Sequence, residues 1–416
     1  MQYAVVHLVV QEILKDLIAP QVMDHMAIQA AMLGEDRPEQ IVVGFLEPMR
    51  NAASASIRHR LRTYRRRTPQ VKVVLLPFTS RLGKRSNARL LAAILRLSIR
   101  ELPIVFHCRT ESAVDWAIEL SRFVKPSGIV ADIRGAWPEE LLFARGFDGP
   151  KQAPPELQQQ HRAAETHLRR ALSASASVLT VSDGLVNYLA SLGANPARVA
   201  CVPCCVSSIT FTPEARSATR ERLGLHGKLV FAYAGTVTRY QHIDDGLLRF
   251  FRLAAEQAPD VHLLCLTQHI DEMKALVDAC GISGDRVTLR AAAQHEIPTL
   301  LAAADAGFLL RAPSRMNRFS QPTKFAEYLA AGLPVVVSRG TGILDDLVEA
   351  NGAGLAIDWF NSNDERRNAL VNLACIRLRT CAPQLRAAAV ALCERQFLWS
   401  NYVSAVRASY VRAVRQ

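Results

Sequence analysis

The stretch Gln321-Pro322-Thr323-Lys324-Phe325-Ala326-Glu327-Tyr328-Leu329-Ala330-Ala331-Gly332-Leu333-Pro334-Val335-Val336-Val337 decides how the second half of this chain is read. Pro322 and Thr323 suit the first turn of a helix and Gly332 suits its end. Pro334 leads into a β-branched run, as expected for a strand covered on both faces. Lys324 and Glu327 stand three residues apart, so both side chains project from one side of the short helix. A helix start with free N–H groups and an adjacent lysine is a ready anion site. A carboxylate one turn deeper can accept hydrogen bonds from sugar hydroxyls. Phosphate and ribose side by side describe a nucleotide-sugar. The alternative, a solvated Lys–Glu pair worth a few tenths of a kcal/mol, fits the same spacing.

Around this stretch the second half alternates regularly. Apolar runs at 229–234, 261–266, 286–289, 306–310, 334–337 and 354–357 predict strands, and helical spacing falls at 243–257, 271–280, 294–303, 323–331 and 342–350. This rhythm implies a parallel sheet with helices on both faces. The first half is less tidy, with strands predicted at 4–10, 40–45, 71–76, 104–107, 128–132 and 178–181 and helices at 85–101, 112–124 and 156–173. A Pro-Glu-Ala-Arg-Ser stretch at 213–217 marks the expected linker. Domains are therefore expected at 1–210 and 211–394, with a terminal amphipathic helix over 395–416.

A chain of 416 residues is too long for a single core. Half of its residues are apolar, which excludes a disordered chain, and no run reaches the 18 or so apolar residues that span a bilayer. Residues 1–16 read as a first strand and helix rather than a secretory signal. Nine cysteines are scattered, an odd number that suits a reduced cytoplasmic protein. Cys201, Cys204 and Cys205 lack a nearby fourth ligand for zinc, so no metal site is expected. The net charge of +12 is uneven: residues 50–100 hold fourteen Lys or Arg and no acidic residue. Arg58, Arg60, Arg62, Arg65, Arg66 and Arg67 are the densest part. Such a block is a solvated face or a surface for anionic lipid, each cation near the membrane contributing about 1 kcal/mol. Nucleic acid ranks last, because only Tyr64 interleaves as a stacking aromatic.

Several segments carry a family resemblance in chain order. The 321–337 stretch resembles the P-x-K-x-x-E-Y-x-A-x-G-x-P-V donor helix of GT-B glycosyltransferases of retaining family 4. Asp132-Ile133-Arg134-Gly135-Ala136-Trp137-Pro138-Glu139-Glu140 is similar to an active-site loop in one branch of that family. Leu179-Thr180-Val181-Ser182-Asp183, Val202-Pro203-Cys204-Cys205-Val206 and Phe231-Ala232-Tyr233-Ala234-Gly235-Thr236 resemble the late first domain, the domain entry and the first strand of the second domain. The resemblance implies an α/β GT-B fold, two Rossmann-like doubly wound domains facing a central cleft, with the terminal helix crossing back to the first. It implies transfer of a sugar from a nucleoside-diphosphate donor to a glycan or lipid-linked acceptor, with retention and with neither a metal nor a further cofactor. Gly235, Thr236, Arg239, Pro322, Thr323, Lys324 and Glu327 are then the expected donor-binding residues. Lys324, Arg239 and Arg134 are expected at the reacting bond, and His107, Arg109, Trp137, Glu139 and Glu140 toward the acceptor or sugar.

The pattern also departs from the family. Thr236 and Gln241 stand where a basic pair is common, with Arg239 as a substitute, and Phe319 stands at the first of two glutamates. Arg134 replaces a histidine, and no glycine pair follows the first strand. These departures motivate a second reading, a silent GT-B scaffold that binds a partner or polyanion through its basic block. An epimerase of this fold lacks its acidic and histidine set here, and an NAD-dependent oxidoreductase lacks G-x-G-x-x-G.

Overall fold

A computed structural model describes residues 2–10, 18–46, 62–66, 68–77, 83–99, 101–238 and 241–415. The chain divides into two compact units, Met1–Pro203 with Trp399–Gln416, and Cys204–Leu398.

The first unit is built on β1 (Ala4–Val9), β2 (Glu39–Leu46), β3 (Lys72–Pro77), β4 (Ile104–Arg109), β5 (Gly128–Ile133), β6 (Ser177–Thr180) and β7 (Val199–Cys201). They form one parallel sheet in the order β3-β2-β1-β4-β5-β6-β7. Every residue of β1 and β4 is buried, which is why both read as mostly apolar rather than alternating, with His7, His107 and Arg109 as the polar exceptions. The winding reverses between β1 and β4, so their carboxyl ends flank the switch point where α/β sheets take ligands. The last helix, Val403–Val414, closes this unit. Its Ala413 backbone lies so close to Gly128 that a Cβ there would sit 2.5 Å from the Ala413 oxygen.

The second unit holds β8 (Leu229–Ala234), β9 (Val261–Leu266), β10 (Val287–Arg290), β11 (Ala306–Leu309), β12 (Val335–Ser338) and β13 (Gly354–Ile357). They form a parallel sheet in the order β10-β9-β8-β11-β12-β13, reversing between β8 and β11. Leu229, Phe231 and Tyr233 of β8 enter one core, and Val230, Ala232 and Ala234 enter the other. Both faces of the strand are thus covered, each fully buried large side chain contributing about 1.5–3 kcal/mol.

The helix Thr323–Ala330 lies on this sheet through Phe325, Ala326, Tyr328, Leu329 and Ala330. Gly332, at φ +66°, ends it, and the Leu333 N–H returns to the Tyr328 carbonyl at 2.9 Å. The Tyr328 ring rests on Gly307 of β11, and its hydroxyl accepts the Ala234 N–H at 2.9 Å.

The alternation of strands and helices is as expected, and the differences have local causes. The expected linker at 213–217 is instead the first turn of the helix Pro213–Arg222. Thr212 caps it by accepting the Ala215 N–H at 3.1 Å, and Arg216 and Arg220 tie it to Asp305 at 2.6 and 3.3 Å. Proline at the first helical position after a threonine is a start signal, not a break. Strand β7 is only three residues long, too short for a periodic signal. The expected helix at 243–257 begins with a π-helical turn, Ile243–Leu248.

Gly307→Ala would place a methyl carbon 2.5 Å from the Tyr328 ring. The expected loss is about 1–3 kcal/mol, read as a lowered thermal midpoint. A variant melting like the parent would show that Tyr328 is not seated on Gly307.

Candidate functional site

In the second unit the switch point brings together three chain segments. The first follows β8. Gly235 adopts φ +146°, and a Cβ there would lie 2.7 Å from the Lys324 Nζ and 3.3 Å from the Tyr233 hydroxyl. Only glycine lets the backbone pass this close to the lysine. Thr236 offers its carbonyl to the Tyr233 hydroxyl at 2.7 Å. Arg239 lies outside the described residues.

The second segment leaves β11. Arg311 is buried, donating to Ser320 Oγ at 3.3 Å and to Gln241 Oε1 at 3.4 Å. Its N–H donates to Ser338 Oγ at 2.8 Å, which fixes the loop to the end of β12. Ser314 caps a short helix, Arg315–Phe319, that leaves Arg315 and Arg318 exposed.

The third segment is the start of the helix Thr323–Ala330. Pro322 occupies the cap position in extended conformation and supplies no side-chain acceptor to the first N–H groups. Thr323 is half-buried and Lys324 is buried. The Lys324 ammonium donates to Gln241 Oε1 at 3.0 Å and Tyr233 Oη at 3.2 Å, and stands 4.2 Å from the Tyr233 ring centroid. No carboxylate lies within salt-bridge distance of it among the described residues. Burial, reinforced by the Arg311 guanidinium, pushes the Lys324 ammonium well below the usual lysine range, and Glu327 only partly opposes this. Glu327 is half-buried one turn on, its carboxyl raised by burial against the pull of Lys324. Two cationic groups and one shielded carboxyl therefore converge beside free helix N–H groups, a site short of negative charge.

The strand-end segment after β10 sits apart from these cations in its bonding. The Ala292 carbonyl is taken by the Gln268 amide at 2.9 Å, and Glu296 accepts from the Ala293 N–H at 2.8 Å and faces Arg290 at 3.5 Å.

In the first unit a second polar group gathers at the ends of β1, β4 and β5. Asp132 is buried, 3.5 Å from His107 Nε2, 3.6 Å from Arg109 and 3.4 Å from Arg134. Burial works against its charge, but Arg134, the His107 hydrogen bond and Arg109 outweigh it and hold the carboxyl far below the usual range. Arg134 also donates to the Val202 carbonyl at 3.3 Å and to Gln21 Oε1 at 3.2 Å. His107 Nδ1 stands 2.9 Å from the Tyr410 hydroxyl. His7, His25, Gln21 and Tyr410 carry no recognisable spacing in the sequence, and the fold alone assembles them here.

After β5, Glu139 is turned inward and meets His161 of the helix Pro155–Ser173 at 3.3 Å. On the helix Trp137–Ala144 its neighbours point elsewhere: Trp137 is 46% exposed, and the Glu140 carboxylate lies over Gly135. Burial of one carboxylate of an adjacent pair follows from helical geometry, which sends successive side chains about 100° apart.

Among the described residues, no three His, Cys, Asp or Glu side chains are grouped to hold a metal ion, and no helix is long and apolar enough to cross a membrane.

Comparison with known proteins agrees with this geometry. Residues 228–374 match the family described as Glycosyl transferases group 1. The D-inositol 3-phosphate glycosyltransferase of Mycobacterium bovis (strain BCG / Pasteur 1173P2) is 29% identical over 257 residues, 57% of this chain and 48% of that protein. The chain thus spans about half the length of the curated relatives it matches. Anabaena HepE, solved in complex with UDP, is similar with a TM-score of 0.67 and 16% identity over 98% of this chain and 100% of that one. A sucrose-phosphate synthase from Thermosynechococcus elongatus is similar with a TM-score of 0.69 and 16% identity, covering 99% and 98%. Residues 228–374 are thus similar to the glycosyl transferases group 1 family, within a chain whose two Rossmann-like units have the GT-B fold.

Proposed function

We propose that this protein is a glycosyltransferase that moves a sugar from a nucleoside-diphosphate donor to a glycan or lipid-linked acceptor. The buried Lys324 ammonium, short of a counter-charge beside Gly235 and the helix start, carries this reading. A diphosphate would supply the missing charge, and Glu327 one turn on would accept hydrogen bonds from ribose hydroxyls. The family match over these residues, and UDP and UDP-glucose in the HepE complexes, support a nucleotide-sugar donor. Negative charge growing on the departing diphosphate would be met by Lys324, Arg311 and the helix N–H groups, already oriented in a water-poor site. Retention, membership of family 4 and a reaction without a metal or other cofactor are part of the same proposal. So is Arg134 near the reacting sugar.

The helix Gly83–Ser98 supports action at the cytoplasmic face of an anionic membrane. It buries Leu91 and Leu95 but leaves Leu90 48% and Leu97 87% exposed, among exposed Lys84, Arg85, Arg89 and Arg96. Exposed leucines within a cationic face suit the lipid interface. Of the basic block, Arg62, Arg65 and Arg66 are exposed around a buried Tyr64, and Arg58, Arg60 and Arg67 lie outside the described residues. The glycan or lipid-linked acceptor belongs to polysaccharide or glycoconjugate assembly in this reading.

UDP at a hundred times its Kd is expected to stabilise the protein by about 2.7 kcal/mol, and Glu327→Ala is expected to reduce that shift. An undiminished shift in the variant removes the ribose role; no shift with any nucleoside diphosphate removes the donor site.

Lys324→Met separates the site's two properties. The unfolded chain holds a proton on Lys324 up to about pH 10.4, whereas the folded chain releases it earlier, so this lysine costs stability at neutral pH and ceases to do so as pH rises. The variant is expected to gain about 1 kcal/mol without ligand at pH 7, a rise of about 2–4 °C, with the gain shrinking toward pH 10. Its nucleotide-induced shift is expected to vanish. A destabilised variant that still binds UDP normally contradicts both expectations.

Vesicle sedimentation checks the membrane reading. Binding to anionic vesicles is expected to exceed binding to neutral ones and to fall on Leu97→Glu with Arg89→Gln; equal binding to both vesicle types rejects it.

A further inference from the structure

The first unit contains a polar pocket of its own. It lies at the switch point of the seven-stranded sheet, where β1 and β4 diverge. His7 from β1, His25 from the helix Asp24–Leu33, Arg109 from the end of β4, and Asp132 and Arg134 at the end of β5 line it. Trp399 closes one wall, stacked on the His25 ring at 4.7 Å and held by its indole N–H on the Pro20 carbonyl at 3.0 Å. His7 stacks on His107 at 4.5 Å.

Three features make this pocket unusual for a protein interior. The charged side chains lining it are two guanidiniums and one carboxylate, a net charge of +1. The Nε2 atoms of His7 and His25 are buried and have no hydrogen-bond partner among the described residues. Both histidines are held neutral, His7 by burial and by His107, and His25 down to about 3 by the same two causes. A buried polar nitrogen left unpaired costs about 1–3 kcal/mol, and two in one pocket need a ligand or water to explain them. The empty space is about 400 Å³ including open solvent at its mouth, of which about 20 Å³ can hold the centre of a water molecule. That is room for one water, or one oxygen of a larger group.

We propose that this pocket is an oxyanion site, taking an oxygen of a phosphate or carboxylate group between the His7 and His25 rings and the Arg109 and Arg134 guanidiniums. The neutral imidazoles supply N–H donors and the guanidiniums supply the charge, while Asp132 keeps Arg109, Arg134 and His107 in place. The rest of the molecule, if there is one, stays at the mouth. The oxyanion is either free in solution or the anionic end of a hydroxylated metabolite, and the pocket chemistry is common to both. The site lies within the first unit and shares only Arg134 with the proposed reaction, and it needs no nucleotide, so its test fails separately from that of the donor reading.

Calorimetric titration of the full chain tests it, using the Lys324→Met protein so that the donor site cannot contribute. Inorganic phosphate, acetate and glucose 6-phosphate are the probes, against potassium chloride at matched ionic strength. Saturable binding of at least one oxyanion is expected, with a change in Trp399 fluorescence. His25→Phe keeps the stack on Trp399 and His7→Phe keeps the stack on His107, and each is expected to weaken binding about tenfold or more. Tighter binding of glucose 6-phosphate than of phosphate identifies the end of a larger metabolite; equal binding identifies a free anion. No saturable binding of any probe, or unchanged affinity in both variants, overturns the proposal. Should a variant melt before titration, imidazole nitrogen resonances of the Lys324→Met protein replace it: shifts at two buried histidines on adding phosphate support the site, and unmoved resonances overturn it.

Discussion

The seat of Tyr328 governs the second unit. Its ring fills the space that Gly307 leaves open on β11, and its hydroxyl takes the last N–H of β8. One side chain therefore fixes the helix against both strands that border the switch point. The consequence appears one turn earlier, where Lys324 is delivered to within bonding distance of Gln241 and Tyr233. Gly235 completes the arrangement by having no Cβ in the lysine's path. A glycine under a ring and a glycine beside an ammonium are two uses of the same absence.

Both units concentrate positive charge at a switch point, but they do it differently. In the second unit the cation is buried against an aromatic face and an amide, neither of which can neutralise it. In the first unit Asp132 partly neutralises two guanidiniums, and two unpaired imidazoles add donors without charge. The common cause is topological. Parallel strands that part at their carboxyl ends leave a crevice no side-chain packing fills, and polar residues collect there. A buried charge is expensive unless it is paired, so these residues cost the fold stability.

Much of the second unit was legible in the sequence. Leu229–Ala234 and Val261–Leu266 are long apolar runs between turn signals, and both are strands at those bounds. The start and stop of the helix Thr323–Ala330 were legible from Pro322 and Gly332, because those residues act on their own backbone. Pro213 was misread as a linker, because the cap from Thr212 and the anchors from Arg216 and Arg220 to Asp305 depend on a partner some ninety residues away. Glu139 and Glu140 looked equivalent as neighbours in a loop. A helix turns them apart, and His161 claims one.

The sequence by itself determined the layer order, the alternation of strands and helices, and the place of Lys324 and Glu327 on one helix face, because periodicity and turn chemistry are local. Only the tertiary structure decided that Lys324 is buried without a carboxylate partner among the described residues, that Tyr233, Gln241 and Arg311 lie around it, and that His7, His25, His107 and Asp132 share one pocket. Those facts depend on which strand ends meet. Strand order is set by long-range packing of apolar faces, which no spacing along the chain records.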